Sequence, residues 1–175
     1  DMCMIEHMPA LIDAGISSFK IEGRMKSAYY TAVVTNAYRA VIDSYIKDKE
    51  RYAFDSCWLR ELDSVSHREY CTGYYFDLPS ENAQTCTMPG YLREKSYLAV
   101  CRGYDGASGL AKFEQRNKVK VGDPVEIISP GLPGRGFTVE RMTDSAGNPV
   151  ESAPHPFMEF FISMPFAVGE GDILR

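Results

Sequence analysis

The sequence predicts an α/β unit followed by an all-β unit, on three observations. Apolar residues recur every three to four positions between Tyr30 and Tyr45, which is the spacing of a long amphipathic helix. Just before it, the stretch from Ile16 to Glu22 alternates Phe19 and Ile21 with Lys20 and Glu22, the pattern of a short strand. Beyond a Ser-, Asn-, Gln- and Thr-rich stretch near the middle of the chain, the apolar period falls to two. A strand between helices is normally parallel and buried on both faces, so its charges need a lumen to point into. A closed (β/α)8 barrel supplies one. In it Phe19 and Ile21 face the helices, Lys20 and Glu22 face inward, and Arg24 and Lys26 follow at the carboxyl end, where such barrels place their chemistry. A purely structural Lys20–Glu22 ion pair in the lumen is the other reading of the same residues.

The first helix should begin at Pro9, whose fixed φ suits a first turn, carry Leu11 and Ile12 on its apolar side and end at Gly15. Ser27 should cap the long helix, whose apolar face is Tyr30, Val33, Val34, Ala37, Tyr38, Val41, Ile42 and Tyr45. The polar run Lys47-Asp48-Lys49-Glu50-Arg51 ends it. Asp55 or Ser56 can cap a short helix with Trp58, Leu59, Leu62 and Val65 on one side. Ser66-His67-Arg68 and the aromatic run Tyr70, Tyr74, Tyr75 and Phe76 come next. A His-Arg pair beside tyrosines could clamp an anion or stack on a flat ring. Alternatively the segment folds back for packing, with His67 hydrogen-bonded inside.

Pro79 to Gly90 has the composition of a linker, which divides the chain into 1–78, a connection at 79–94 and 95–175. In the last part Tyr97 to Arg102, Leu110 to Arg116, Pro124 to Ser129, Gly136 to Met142 and Phe157 to Met164 are strand candidates, with turns at Asp105-Gly106 and Ala146-Gly147-Asn148. Short strands at this spacing predict a small β-barrel. Between Ala111 and Val121, Lys112, Arg116, Lys118 and Lys120 stand against Glu114 alone, a local basic excess. It could touch phosphates, or simply solvate an edge strand. His155, between Pro154 and Pro156, suits a rigid turn.

The whole chain carries a net charge of −5, which argues against binding polyanions through its overall field and leaves only local patches for that role. Five cysteines, at 3, 57, 71, 86 and 101, include no Cys-x-x-Cys pair, and there is no His-x-x-x-His. Neither a zinc site nor a dense disulfide framework is expected, which suits a reducing cytoplasm. Cys57, Cys71, Cys86 and Cys101 are expected to be ordinary thiols. No apolar run is long enough to span a bilayer, and there is neither a His-Glu-x-x-His, nor a nucleophile elbow, nor a Gly-rich phosphate loop.

Asp1-Met2-Cys3-Met4-Ile5-Glu6-His7-Met8-Pro9, Leu11-Ile12-Asp13-Ala14-Gly15 and Phe19-Lys20-Ile21-Glu22-Gly23-Arg24-Met25-Lys26-Ser27-Ala28-Tyr29-Tyr30 together resemble the collagenase-like peptidase family, unassigned family U-32. Ser66 to Phe76, Gln115 to Asp123 and Ala153-Pro154-His155-Pro156 agree with it, so the match runs nearly end to end. The resemblance implies the C-terminal part of a longer protein, starting inside the (β/α)8 barrel and continuing into a translation-factor-like β-barrel. It implies that Cys3 matches the last ligand of a four-iron four-sulfur cluster whose other three cysteines lie upstream, so that this segment alone holds no cluster and is inactive alone.

Two activities compete for the intact protein: hydroxylation of the wobble uridine of tRNA at its 5-position, which is favoured, and the peptide hydrolysis of the family's name. A docking module for RNA or protein is a third reading. The expected site has Lys20, Glu22 and Arg24 as catalytic residues. Lys26, His67 and Arg68 would bind a small carboxylate substrate at the barrel mouth, and Lys112, Arg116, Lys118 and Lys120 would meet tRNA. A partial barrel with open edges would also favour a homodimer.

Overall fold

The computed structural model describes residues 1–76 and 95–175 and divides the chain into two units, Asp1–Glu94 and Lys95–Arg175. The connection expected at 79–94, with Cys86, lies outside the described residues. Among those described, no helix is long and apolar enough to cross a membrane.

In the first unit a 3-10 turn at Ile5–His7 leads into α1, Met8–Asp13, with Pro9 in its first turn. Gly15, at φ +83°, ends it in the left-handed conformation that costs glycine little. The long helix α2 runs Ala28–Lys47, capped by Ser27, whose hydroxyl accepts from the Tyr30 amide at 3.2 Å. Its buried face is Tyr29, Val33, Val34, Ala37, Val41 and Tyr45, so Tyr29 takes the place expected of Tyr30. Asp55 precedes α3, Cys57–Asp63, and its carboxylate accepts from the Cys57 amide at 2.8 Å, whereas Ser56 makes no side-chain cap. Hydrogen bonding between the two residues pushes the Asp55 carboxyl and the Cys57 thiol in opposite directions. The carboxyl is lowered by the bond from Cys57, and the thiol is raised to about 11, first by burial.

The expected strand from Ile16 to Glu22 is not formed: these residues belong to no ladder. A strand exists only by pairing its amides and carbonyls with a neighbour, and no described segment forms a ladder with this one. A parallel β-bridge in this unit joins Met2 and Cys71. There the Cys3 amide donates to the Cys71 carbonyl at 2.9 Å, and the Cys71 amide to the Asp1 carbonyl at 3.0 Å.

The second unit is antiparallel β throughout. Its strands are β1 Ala99–Asp105, β2 Leu110–Gln115, β3 Val119–Lys120, β4 Pro124–Ile128, β5 Arg135–Thr138, β6 Met142–Asp144, β7 Ser152–Ala153, β8 Glu159–Ser163 and β9 Ile173–Leu174. Seven of them form one sheet in the order β5-β4-β9-β1-β2-β8-β6, and β3 pairs with β7 as a separate ribbon. Strands from both edges contribute to a single core, with Phe137 of β5 packed against a cluster of Ile127, Leu174, Cys101, Phe113, Phe160, Ile162 and, from β6, Met142, so the sheet curls over its inner face. It does not close: among the described residues the edge strands β5 and β6 are not paired with each other, and the unit is a curled sheet rather than the closed barrel expected.

The candidate strand Gly136 to Met142 is in fact two, because β5 pairs with β4 and β6 with β8 on opposite edges. The chain crosses from one to the other at 139–141, with Val139 buried as the hinge pin. At the Asp105 turn the left-handed residue is Gly109, not Gly106. The Asp144 turn is as expected, with Gly147 at φ +84° and the Asp144 carboxylate accepting from the Ala146 and Asn148 amides, both at 2.9 Å.

One non-glycine residue among those described has positive φ, Phe157 at +61°. Its amide donates to the Gln115 carbonyl at 3.2 Å, while the Gln115 amide donates to the Met158 carbonyl at 3.0 Å. Two residues thus face one, a bulge of the kind whose left-handed first position is usually glycine. Holding a phenylalanine there costs about 1–2 kcal/mol.

Candidate functional site

The helix-and-loop unit gathers its polar groups where residues 1–3 run beside residues 66–71. The bridge at Met2 and Cys71 places the Asp1 carboxylate among cations. Arg68 approaches it with Nε at 3.0 Å and Nη2 at 2.9 Å, its amide donates to the other oxygen at 3.1 Å, and Lys26 Nζ lies 4.0 Å away. Lys26, at the turn before α2, also donates to the Ser66 carbonyl at 2.7 Å and sits 5.2 Å from the centre of the Tyr30 ring. Lys26 and Arg68, both expected to bind a carboxylate, therefore already meet one from the chain itself. Asp1 escapes notice in the sequence because its role depends on a segment more than sixty residues away.

On the neighbouring side, Cys3 is half-buried against α2. The Tyr38 hydroxyl donates to Cys3 Sγ at 3.6 Å and accepts from the Met4 amide at 2.9 Å. Burial, with the Cys3 thiol close by, pushes the Tyr38 and Tyr70 hydroxyls well above the usual tyrosine range, so both stay protonated donors. The sequence pattern marks Tyr38 only as a core residue of a helix. A four-iron four-sulfur cluster takes about four thiolates. Among the described residues no group of three or more His, Cys, Asp or Glu side chains is placed to hold a metal ion, so the residues present do not by themselves fit such a cluster.

Other expected site residues are placed differently. Lys20 and Glu22 form an ion pair at 3.3 Å, with their side chains 85% and 67% exposed, so they are a solvated surface pair and not an inward-facing one. The reason is the missing ladder: without neighbouring strands no wall encloses them. Arg24 is exposed, and its amide, not its guanidinium, donates to the Glu22 carboxylate at 3.2 Å. His67 is buried, with Nδ1 2.7 Å from the Val65 carbonyl, Nε2 3.7 Å from Asp63 and its ring stacked on Tyr70 at 4.4 Å. That is the packing alternative, and it removes His67 from the expected mouth. Replacing the solvated Arg24 with alanine should leave the melting temperature unchanged, whereas Lys26→Met, which strips the Ser66 carbonyl and Asp1 of a half-buried donor, should cost about 1–3 kcal/mol. Thermal unfolding of the two variants measures the difference.

In the curled-sheet unit the basic excess is partly neutralised. Lys112 pairs with Glu159 at 2.7 Å, and Glu114 is shared by Arg116 at 2.5 Å and Arg102 at 3.1 Å. Lys118 and Lys120 are exposed and form no ion pair among the described residues. The Arg116 guanidinium lies 4.7 Å from the centre of the Phe157 ring. Farther along the outer face, a shallow depression of about 330 Å³ is lined by Gly103, Tyr104, Leu110, Lys112 and Phe161. The sequence gives no hint of either aromatic surface, because alternation alone does not say which face of a sheet stays uncovered.

The model of peptidase family U32 matches residues 1–85, and the model of the peptidase family U32 C-terminal domain matches residues 93–175. The tRNA hydroxylation protein P1 of Bacillus subtilis is 35% identical over 156 residues, covering 89% of this chain and 37% of that protein. A collagenase of Porphyromonas gingivalis is 28% identical over 131 residues, covering 74% of this chain and 36% of that protein. Among solved structures, the C-terminal domain of a U32 peptidase of Geobacillus thermoleovorans matches with a TM-score of 0.45 and 26% identity, covering 46% of this chain and 99% of that one. The chain thus spans little more than a third of the length of these curated relatives, 37% and 36%.

Proposed function

Because the chain belongs to peptidase family U32, we propose that it is the C-terminal part of a longer cytoplasmic protein that acts in 5-hydroxylation of the wobble uridine of tRNA. The observation that carries this reading is the 35% identity, over 89% of the chain, with a protein named for tRNA hydroxylation. In the longer protein the first unit would complete a (β/α)8 barrel. Residues 16–22 would find their ladder there, and Ile16, Ile21 and Met25, now exposed, would be covered. Lys20 and Arg24 would then attract a small carboxylate, with Glu22 orienting Lys20. Lys26 and Arg68 would keep Asp1 in place beneath them, and Cys3 would give one thiolate to a cluster whose other ligands come from elsewhere.

Peptide hydrolysis is the second reading, favoured by the identity to a protein named collagenase. The two part on RNA. Filter binding of tRNA to the chain over a salt series is expected to show retention that weakens as salt rises. Absence of retention at low salt, together with cleavage of gelatin by the longer protein, would favour the peptidase.

A further inference from the structure

The curled-sheet unit pays for an exposed aromatic that its fold does not use. Phe157 occupies a left-handed bulge position suited to glycine, yet its side chain is 68% exposed and adds little to the core. Arg116 lies over that ring, held in line by Glu114. The turn between them is pinned: the Arg116 and Asn117 amides donate to the Leu98 carbonyl at 2.7 and 2.9 Å, and the Asn117 side chain donates to the Tyr97 carbonyl at 2.7 Å. Val119 pairs with Ala153 and Lys120 with Ser152 in the antiparallel β3–β7 ribbon, so Lys118, just before β3, comes next in register to Pro154, where the turn that leads to Phe157 begins, and Lys120 lies two residues farther along the ribbon. Farther along the chain, on β8 and β2, Phe161 and Lys112 line the shallow depression.

We propose that Phe157 and Arg116, with Lys118 on the adjoining turn and Lys120 farther along the ribbon, form a stacking platform for an unpaired base of single-stranded RNA and its flanking phosphates. The inference deepens the tRNA reading and rests on it only for the identity of the RNA. An aromatic ring left open to solvent beside unpaired ammonium groups matches a base and its flanking phosphates, since every base offers a π-face and every phosphate a charge. A hydrophobic protein partner would gain nothing from Lys118 and Lys120, and a duplex would offer the ring no open base.

Anisotropy of a labelled oligouridine mixed with the full chain tests it. The parent is expected to bind with salt-dependent affinity and to bind duplex RNA more weakly. Phe157→Gly should lose about tenfold or more in affinity while its melting temperature holds or rises, because glycine is at ease at that backbone angle. Phe157→Leu should lose as much, since it keeps apolar bulk without a π-face. Lys118→Gln with Lys120→Gln should flatten the log–log salt slope by about 1.4. Parent-like affinity in Phe157→Gly, no binding by the parent at low salt, or a Phe157 dependence seen only with a protein partner would overturn the proposal. If tRNA nucleosides prove independent of this gene while oligouridine binding still depends on Phe157, the tRNA reading falls and the platform stands. If the nucleosides change but Phe157→Gly binds like the parent, the platform falls and the tRNA reading stands.

Discussion

Replacing Glu126 with alanine should destabilise the curled-sheet unit by about 3–5 kcal/mol, the largest loss expected from any polar substitution in it. Arg175 follows β9, and its amide and carbonyl pair with those of Glu126 at 2.9 and 2.8 Å. Its guanidinium is 1% exposed and meets the Glu126 carboxylate at 2.8 Å, with Lys95 at 2.6 Å on the same oxygen. Gly134 leaves the space in which they meet, since a Cβ there would come within 2.5 Å of both Arg175 Nη2 and Glu126 Oε2. Removing the carboxylate takes from the buried guanidinium the counter-charge it meets at 2.8 Å.

Burial pushes the Glu126 carboxyl up, but hydrogen bonds from Lys95 and Arg175 outweigh it and hold the group below the usual glutamate value. A carboxyl lowered on folding contributes its full stability above its unfolded pKa and loses it as pH falls through the lowered folded value. Acid titration of the melting temperature should therefore show a fall below the ordinary carboxylate range that is shallower in Glu126→Gln. A Glu126→Ala variant that melts with the parent would mean that Arg175 finds another partner.

Phe113→Ala should cost a similar amount, about 3–5 kcal/mol, for a different reason. Phe113 is fully buried on β2, pairs across the sheet with Cys101 on one side and Phe160 on the other, and its ring lies 5.8 Å from that of Phe160. A cavity there opens at the middle of the curl, where strands on both sides are hydrogen-bonded in place and cannot collapse inward. For a unit of this size the melting temperature should fall by more than about 10 °C, while Phe161→Ala on the outer face, with no core behind it, should move it little. Equal shifts in the two variants would place the core on the wrong face.

How far the sequence carries can be seen residue by residue. Ser27 and Gly15 bound their helices as local chemistry requires, because a cap and a left-handed stop depend only on neighbours. The alternation of Leu110 to Gln115 and of Glu159 to Ser163 marks β2 and β8 correctly, since each has one buried face. Two-residue strands such as β3, β7 and β9 have no period to read, and the division of Gly136 to Met142 depends on which strands its halves meet. Ile16 to Glu22 fails for the opposite reason: its pattern is that of a strand, but a strand needs a partner. The site was legible in its parts and not in its assembly. Lys26, Arg68 and Cys3 were marked, and Lys26 and Arg68 do converge, but on Asp1. His67 is absorbed by packing against Tyr70, and the aromatic platform at Phe157 rests on a backbone angle that no residue pattern announces.

The claim that this chain belongs to a tRNA-modifying protein is tested most directly by the nucleosides of total tRNA from a strain lacking its gene, compared with the parent strain and with a strain in which the gene is restored. Loss of 5-hydroxyuridine and the nucleosides built on it, recovered on restoration, is the predicted result. An unchanged nucleoside profile would contradict it.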